Sequence, residues 1–199
     1  MPYAVNDGVQ SAYERDGVGG AETIVFVCGL GYGELYVNGG RVGDAVLDPG
    51  WTDYAERALY RTYDVSDVLR EGENAIGVWL GRGWFSKNRD MWTGFGSPRA
   101  RLHLSVEYAD GTTRTLGTSP DWRAAPSPIV ENDIYDGELY DARREQPGWA
   151  EPGFDEADWD DAAPMADPGS DLVPQRMPPI RETRAFEPES IDQEEDAPI

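Results

Sequence analysis

Apolar and polar residues alternate along much of the first 117 residues, and this period of two is typical of β-strands with one buried face. Leu35 and Val37 alternate with Glu34 and Tyr36, and residues 102–106 read LHLSV. A helix would instead space its apolar residues three and four apart. The pattern predicts strands at 22–29, 33–37, 41–47, 57–64, 74–80, 100–108 and 112–117.

Turn sequences separate these predicted strands. Asn38-Gly39-Gly40 and Asp110-Gly111 are tight-turn sequences that close hairpins. Residues 64–69 predict one short helical turn that a capping side chain begins and that Glu71-Gly72 ends. Many short strands with regular turns and no long helical pattern indicate an all-β fold, an antiparallel β-sandwich.

The chain length and composition predict one folded domain with a tail at each end. A chain of 199 residues with 39% hydrophobic residues can bury one sizeable core. Residues 1–20 are glycine-containing and read as an N-terminal arm, and 21–166 hold the β-sandwich domain. Residues 167–199 are Pro-rich and acidic, which is typical of a linker that buries too little apolar surface to order itself.

The charge balance is strongly acidic, and it excludes one class of partner. The chain has 38 acidic and 17 basic residues, a formal net charge of −21, and a single lysine, Lys87. Nucleic-acid binding requires a basic face, so it is excluded, and anionic membranes are disfavoured. Molar salt would screen the repulsion among these acids, which favours a halophilic source over an ordinary acidic protein.

Two residues that often carry chemistry have structural explanations here. Cys28 is the single cysteine and lies in an apolar run, so it predicts a buried structural thiol without an internal disulfide. His103 occupies a polar position of an alternating strand, which predicts a solvent-facing residue rather than a metal ligand. The N-terminus shows neither a signal peptide nor a membrane span, which implies a cytoplasmic protein if that terminus is native.

Residues 47–54, Leu-Asp-Pro-Gly-Trp-Thr-Asp-Tyr, form the first candidate site. An aromatic face can stack on a sugar ring, while the carboxylates of Asp48 and Asp53 can accept hydroxyl hydrogen bonds or hold a hard cation. The alternative is a rim loop in which Trp51 and Tyr54 close the core. The glycine-rich residues 29–33 stand between strand patterns and predict a bend, not a nucleotide-binding loop.

Several sequence segments, taken together and in order, resemble the N-terminal domain of bacterial-type α-L-rhamnosidases over residues 20–165, with a weaker continuation at 174–181. These segments are GLGYGELYVNGGRVGD, DPGWTDY, YRTYDVSDVLREGENAIGV, LGRGWF and NDIYDGELYDAR. The resemblance implies a jelly-roll sandwich of the kind found in carbohydrate-binding modules. It also implies that hydrolysis belongs to acidic residues of a separate helical barrel, so no catalytic residue is assigned in this chain.

Relatives of that domain include modules in which a calcium ion bridges protein oxygens and the hydroxyls of L-rhamnose. The resemblance therefore makes Asp48 a candidate calcium ligand, although Pro49 stands where an amide side chain is expected. The long 81–99 connection is expected to share the site. The candidate carbohydrate-binding residues are Asp48, Trp51, Asp53, Tyr54, Trp84 and Trp92.

The NDIYDGELYDAR segment carries the second set of candidates. Its polar side chains are compatible with an internal network, a cation site or a surface that docks against other domains of a parent rhamnosidase, and we favour docking or internal bracing. Arg143 in a bidentate pair with a carboxylate would be a structural explanation. The alternative to an enzyme fragment is a stand-alone lectin-like module. The candidates are Asn132, Asp133, Asp136, Glu138, Asp141 and Arg143.

Overall fold

A computed structural model describes residues 5–6, 22–86 and 94–190. Fifteen strands and one 3₁₀ turn, Ala142–Arg144, make up its regular structure. The strands are β1 Val5–Asn6, β2 Glu22–Leu30, β3 Tyr32–Val37, β4 Gly40–Arg41, β5 Ala45–Val46, β6 Arg57–Asp64, β7 Ile76–Gly81, β8 Arg99–Glu107, β9 Thr113–Gly117, β10 Arg123–Pro126, β11 Ile129–Asp133, β12 Gly137–Tyr140, β13 Asp160–Asp161, β14 Asp171–Pro174 and β15 Ile180–Arg181.

Two sheets face each other and enclose the main core. One has the order β14-β6-β2-β8-β9 and the other the order β4-β3-β7. Every second residue of β2, β3, β7 and β8 points into the core, as the alternation predicts. The core includes Val25, Leu35, Val78 and Leu104, each no more than 1% exposed. The predicted all-β sandwich is confirmed.

Gly31 lets the chain pass from one sheet to the other. It lies between β2 and β3 and has a φ of 116°, in the region that favours glycine. A Cβ at this position would overlap the backbone oxygen of Gly81 at the end of β7. The glycines of this segment therefore serve the bend that their pattern predicts.

Most predicted strands agree with the structure to within one or two residues, but the predicted strand 41–47 is divided. It consists of the two-residue strands β4 and β5 with a bend at 43–44 between them. Gly43 has a φ of 84°, which interrupts an extended backbone. The predicted helical turn is a single turn in which the Leu69 N–H donates to the Val65 carbonyl and Asp64 caps Ser66.

The segment 171–181 pairs with the sandwich although its composition is that of a linker. β14 adds to the edge of β6 in parallel, whereas the other described strand pairs are antiparallel, and β15 pairs with β5. Pairing at a sheet edge satisfies backbone groups and needs few apolar side chains, so composition does not reveal it. Of the predicted N-terminal arm, only Val5–Asn6 lies within the described residues.

Cys28 and His103 occupy the environments that their patterns predict. Cys28 is a buried free thiol, and burial raises its pKa to about 11. His103 is exposed on the outer side of β8 and lies 6.0 Å from the ring of Phe26. No helix among the described residues is long and apolar enough to cross a membrane.

Candidate functional site

The loop between β5 and β6 brings one predicted sugar-binding tryptophan to the surface. Asp48 is held at the start of the loop because its carbonyl accepts a hydrogen bond from the Gly33 N–H at 2.8 Å. Three residues later, the side chain of Trp51 is 63% exposed. An indole ring exposed at this position is available to contact a ligand or another protein.

Trp51, Trp84 and Tyr135 together form what we call the aromatic platform. The Trp51 and Trp84 ring centroids are 6.2 Å apart, and those of Trp84 and Tyr135 are 5.8 Å apart. Trp84 follows β7 and is half-buried, while Tyr135 lies at the tip of the β11–β12 hairpin and is 57% exposed. The fold thus brings two predicted sugar-binding residues to a tyrosine of the NDIYDGELYDAR segment.

Asp48 is placed inside the protein, not at the platform surface. It is 5% exposed, and its Oδ2 lies 3.2 Å from Nε of Arg61 on β6. Its Oδ1 accepts a hydrogen bond from Nε2 of Gln175 at 2.8 Å, and Oε1 of the same glutamine accepts from the Gly50 N–H at 2.9 Å. The Asp48 carboxylate therefore links the loop, β6 and the segment that follows β14.

Calcium does not fit the donor set around Asp48. A cation placed there would lie beside the Arg61 guanidinium and would compete with the Gln175 amide for the same carboxylate. Pro49 supplies no side-chain oxygen. Within 5–6, 22–86 and 94–190, no group of three or more His, Cys, Asp or Glu side chains is arranged to hold a metal ion.

The other loop candidates divide between a turn and the core. Asp53 is exposed, and its Oδ1 accepts a hydrogen bond from the Ala55 N–H, so it shapes the turn before β6. Tyr54 is 4% exposed and packs edge-on against Phe85 and Phe95, which corresponds to the core-closing alternative. Burial raises the pKa of Tyr54. Trp92 lies outside the described residues.

Asn132 and Asp133 brace the hairpin from which Tyr135 projects. The Asn132 side-chain oxygen accepts a hydrogen bond from the Arg82 N–H at 2.8 Å, which connects the hairpin to the end of β7. Asp133 accepts hydrogen bonds from the Tyr135 and Asp136 N–H groups and so closes the turn between β11 and β12. These two side chains hold the platform tyrosine in place.

Asp141 and Arg143 form the bidentate pair that the sequence suggests. Arg143 Nε and Nη2 donate to the two Asp141 oxygens at 2.8 and 2.9 Å. This pairing lowers the pKa of the Asp141 carboxyl to about 2. The same carboxylate caps the 3₁₀ turn by accepting from the Arg143 N–H. Glu138 and Asp136 are exposed on the hairpin.

Two residues of this region are not predicted from the sequence. Tyr135 lies in a segment whose acidic residues suggest a polar role rather than an aromatic contact. Gln175 lies 127 residues from Asp48 in a segment with the composition of a linker. An exposed aromatic residue at a hairpin tip is the signal that would have indicated Tyr135, whereas no local signal indicates Gln175.

Comparison with known proteins finds a family that matches this sequence. The family model for the α-L-rhamnosidase N-terminal domain matches residues 20–184. An α-L-rhamnosidase of Formosa agariphila is 34% identical over 93% of this chain, and the match covers 21% of that relative.

Solved structures give the same result. The α-L-rhamnosidase of Streptomyces avermitilis, solved in complex with L-rhamnose, superimposes with a TM-score of 0.83 at 37% identity, over 92% of this chain and 18% of that one. The α-L-rhamnosidase of Dictyoglumus thermophilum has a TM-score of 0.80 at 39% identity, over 88% of this chain and 19% of the other. The chain thus spans about a fifth of the length of these relatives.

Proposed function

The chain belongs to the α-L-rhamnosidase N-terminal domain family, and from that premise we propose that it is a non-catalytic accessory domain of an α-L-rhamnosidase that binds rhamnosides at its aromatic platform. Such a domain would be joined in a defined orientation to the rest of a parent enzyme, and its exposed rings would contact the ligand.

The attachment of the C-terminal segment supports the accessory role. β14 and β15 pair with the sandwich, Gln175 links to Asp48 and Gly50, and Arg181 Nε lies 2.7 Å from Asp44 Oδ2. A segment held at several points transmits a defined orientation to whatever it connects, unlike a flexible linker. Other domains of the parent rhamnosidase are therefore the partners that this attachment would orient.

The single observation that carries the sugar-binding part is the exposed Trp51 ring beside Trp84 and Tyr135. Indole and phenol rings stack on the apolar face of a pyranose, and a tyrosine hydroxyl can hydrogen-bond to a sugar hydroxyl. L-Rhamnose is a 6-deoxy sugar whose methyl group adds apolar surface for such contact. No step of this binding uses calcium, because Asp48 is committed to Arg61 and Gln175.

Calorimetric titration of the 199-residue chain with L-rhamnose tests this part. We expect a measurable heat of binding that is unchanged by a calcium chelator and is lost in Trp51→Ala. Phe186→Ala is the matched control, since Phe186 is an exposed aromatic residue away from the platform pairs. Equal binding by the two variants would contradict the proposal, and so would the absence of heat.

Assay of the same chain with an aryl α-L-rhamnoside tests the non-catalytic part. No release of the aryl group is expected. Glycoside hydrolysis requires two carboxylates in the acid and base roles, and no such pair is assigned in this chain. Sustained turnover by the purified chain would overturn the accessory role. A reading frame that ends at Ile199 would favour the stand-alone lectin-like module instead.

A further inference from the structure

A second concave site lies on the outer face of the smaller sheet. Trp79 projects from β7 on the side opposite to the core residues Val78 and Leu80. Trp149 covers that face, with its ring centroid 5.0 Å from Tyr36 and 6.0 Å from Trp79. Between these rings, residues 125–128 and residues 140–149 is a cavity of about 240 Å³, here called the tryptophan cavity.

The walls of the tryptophan cavity are aromatic. Trp79, Trp149 and Trp159 line it together with Tyr140 and several prolines. Trp79 and Trp149 are nearly perpendicular, at 87°, so they present differently oriented aromatic surfaces. Tyr140 and Pro147 are exposed at its edge, whereas Trp159 is 7% exposed. This arrangement offers stacking surfaces in a recess that is open to solvent.

Polar groups are placed among these rings. Tyr140 Oη donates to Glu145 Oε1 at 2.8 Å, and Trp159 Nε1 donates to Gln146 Oε1 at 2.7 Å. Each carboxylate oxygen has more than one lone pair, so Glu145 retains acceptor capacity. Trp79 Nε1 is buried and has no hydrogen-bond partner among the described residues.

We propose that the tryptophan cavity binds one neutral pyranose unit of a glycan, at a site separate from the aromatic platform. Its volume is below the roughly 300–1,000 Å³ of pockets for drug-sized ligands, which suits a single ring. The net charge of −21 and the Glu145 carboxylate disfavour an anionic ligand. Hydroxyl groups both donate and accept hydrogen bonds, so they match a carboxylate and an amide.

The tryptophan cavity and the platform share no lining residue. Tyr140, at the base of the β11–β12 hairpin, belongs to the cavity, and Tyr135, at its tip, belongs to the platform. The strand β12 between them spans four residues, or roughly 13 Å. The cavity proposal therefore stands independently of the proposed function, and either can fail without the other.

The indole N–H signals of the seven tryptophans give a site-specific test. They would be assigned in the ¹⁵N-labelled 199-residue chain by single Trp→Phe substitutions and followed during titration with L-rhamnose, D-galactose and D-glucose. We expect the Trp79, Trp149 and Trp159 signals to shift together with at least one of these sugars. In Trp51→Ala the same shifts should persist, because that ring belongs to the platform.

Glu145→Gln supplies the functional test without disturbing the core, since Glu145 is exposed. Loss of a charge-assisted hydrogen bond should raise the Kd of the cavity about tenfold. Glu138→Gln, which changes an exposed carboxylate of the same hairpin outside the cavity, should leave that Kd unchanged. The proposal would be overturned if the Trp79, Trp149 and Trp159 signals did not shift with any of the sugars, or if their shifts disappeared in Trp51→Ala. Equal Kd values for the two glutamine variants would also overturn it.

Discussion

Asp48 shows how the surroundings of a residue decide its role. A carboxylate next to a Pro-Gly break and a tryptophan suggests a ligand site, yet the fold encloses it beside Arg61 and Gln175. A buried carboxylate requires compensating charge and hydrogen bonds, and these two side chains supply both. Asp48 therefore stabilises the fold instead of binding a ligand.

Asp48→Asn should therefore destabilise the fold markedly. The substitution leaves the largely buried Arg61 guanidinium without its counter-charge, and we expect a loss of about 2 kcal/mol. This lies below the usual cost of breaking a buried pair because Arg61 retains some contact with water. Urea unfolding, followed by tryptophan fluorescence, measures the difference.

Asp44→Asn is the matched control for this experiment. Asp44 pairs with Arg181, but both side chains are largely exposed, so the change should cost much less stability than Asp48→Asn. Similar losses for the two variants would mean that the burial of Asp48 contributes nothing to stability.

At the scale of elements, local patterns predict strands well and predict their partners poorly. The alternation in 33–37 and 102–106 correctly indicates β3 and β8, because the period of two is a property of the strand itself. The pairing of β14 with the edge of β6 follows from backbone groups that every sequence possesses. No pattern of side chains in 171–174 predicts this pairing.

Trp149 packs over the outer face of β7, and this contact allows a second stability prediction. A Cβ at Gly77 would overlap the Trp149 ring, so Gly77→Ala should displace that ring and cost about 1–3 kcal/mol. Near-ultraviolet circular dichroism should change as well, because Trp149 contacts both Tyr36 and Trp79. Thermal unfolding gives the energetic part.

Gly40→Ala provides the comparison within the same sheet. A Cβ at Gly40 would meet only the Val37 carbonyl oxygen, at an ordinary distance of 3.6 Å. Little change in stability or aromatic dichroism is expected there. If Gly77→Ala behaved in the same way, Trp149 would not pack against β7 in solution.

At the scale of the whole molecule, the dominant property is the net charge of −21. The described ion pairs, such as Arg61 with Asp48 and Arg143 with Asp141, engage only part of the acidic surface. Like charges on a compact surface repel each other and destabilise the folded state relative to the expanded one. Salt weakens that repulsion, since the Debye length falls to about 3 Å at 1 M.

We expect the midpoint of thermal unfolding to rise steeply between low and molar KCl. Glu131→Gln, Asp158→Asn and Glu138→Gln, combined in one variant, remove three exposed negative charges and should reduce that salt dependence. Sucrose at matched osmolality controls for solute exclusion, which also stabilises compact states. A midpoint that is independent of KCl would exclude the halophilic interpretation.

The sequence by itself determined the properties that act over a few residues: the strand alternation, the Asn38-Gly39-Gly40 turn and the segments typical of the family. Tertiary structure alone decided which distant side chains meet. It joined Asp48 to Gln175, Trp84 to Tyr135 and Trp79 to Trp149. The physical reason is that local propensity acts through neighbouring backbone and side chains, whereas these contacts form only when the sheets pack and bring remote segments together.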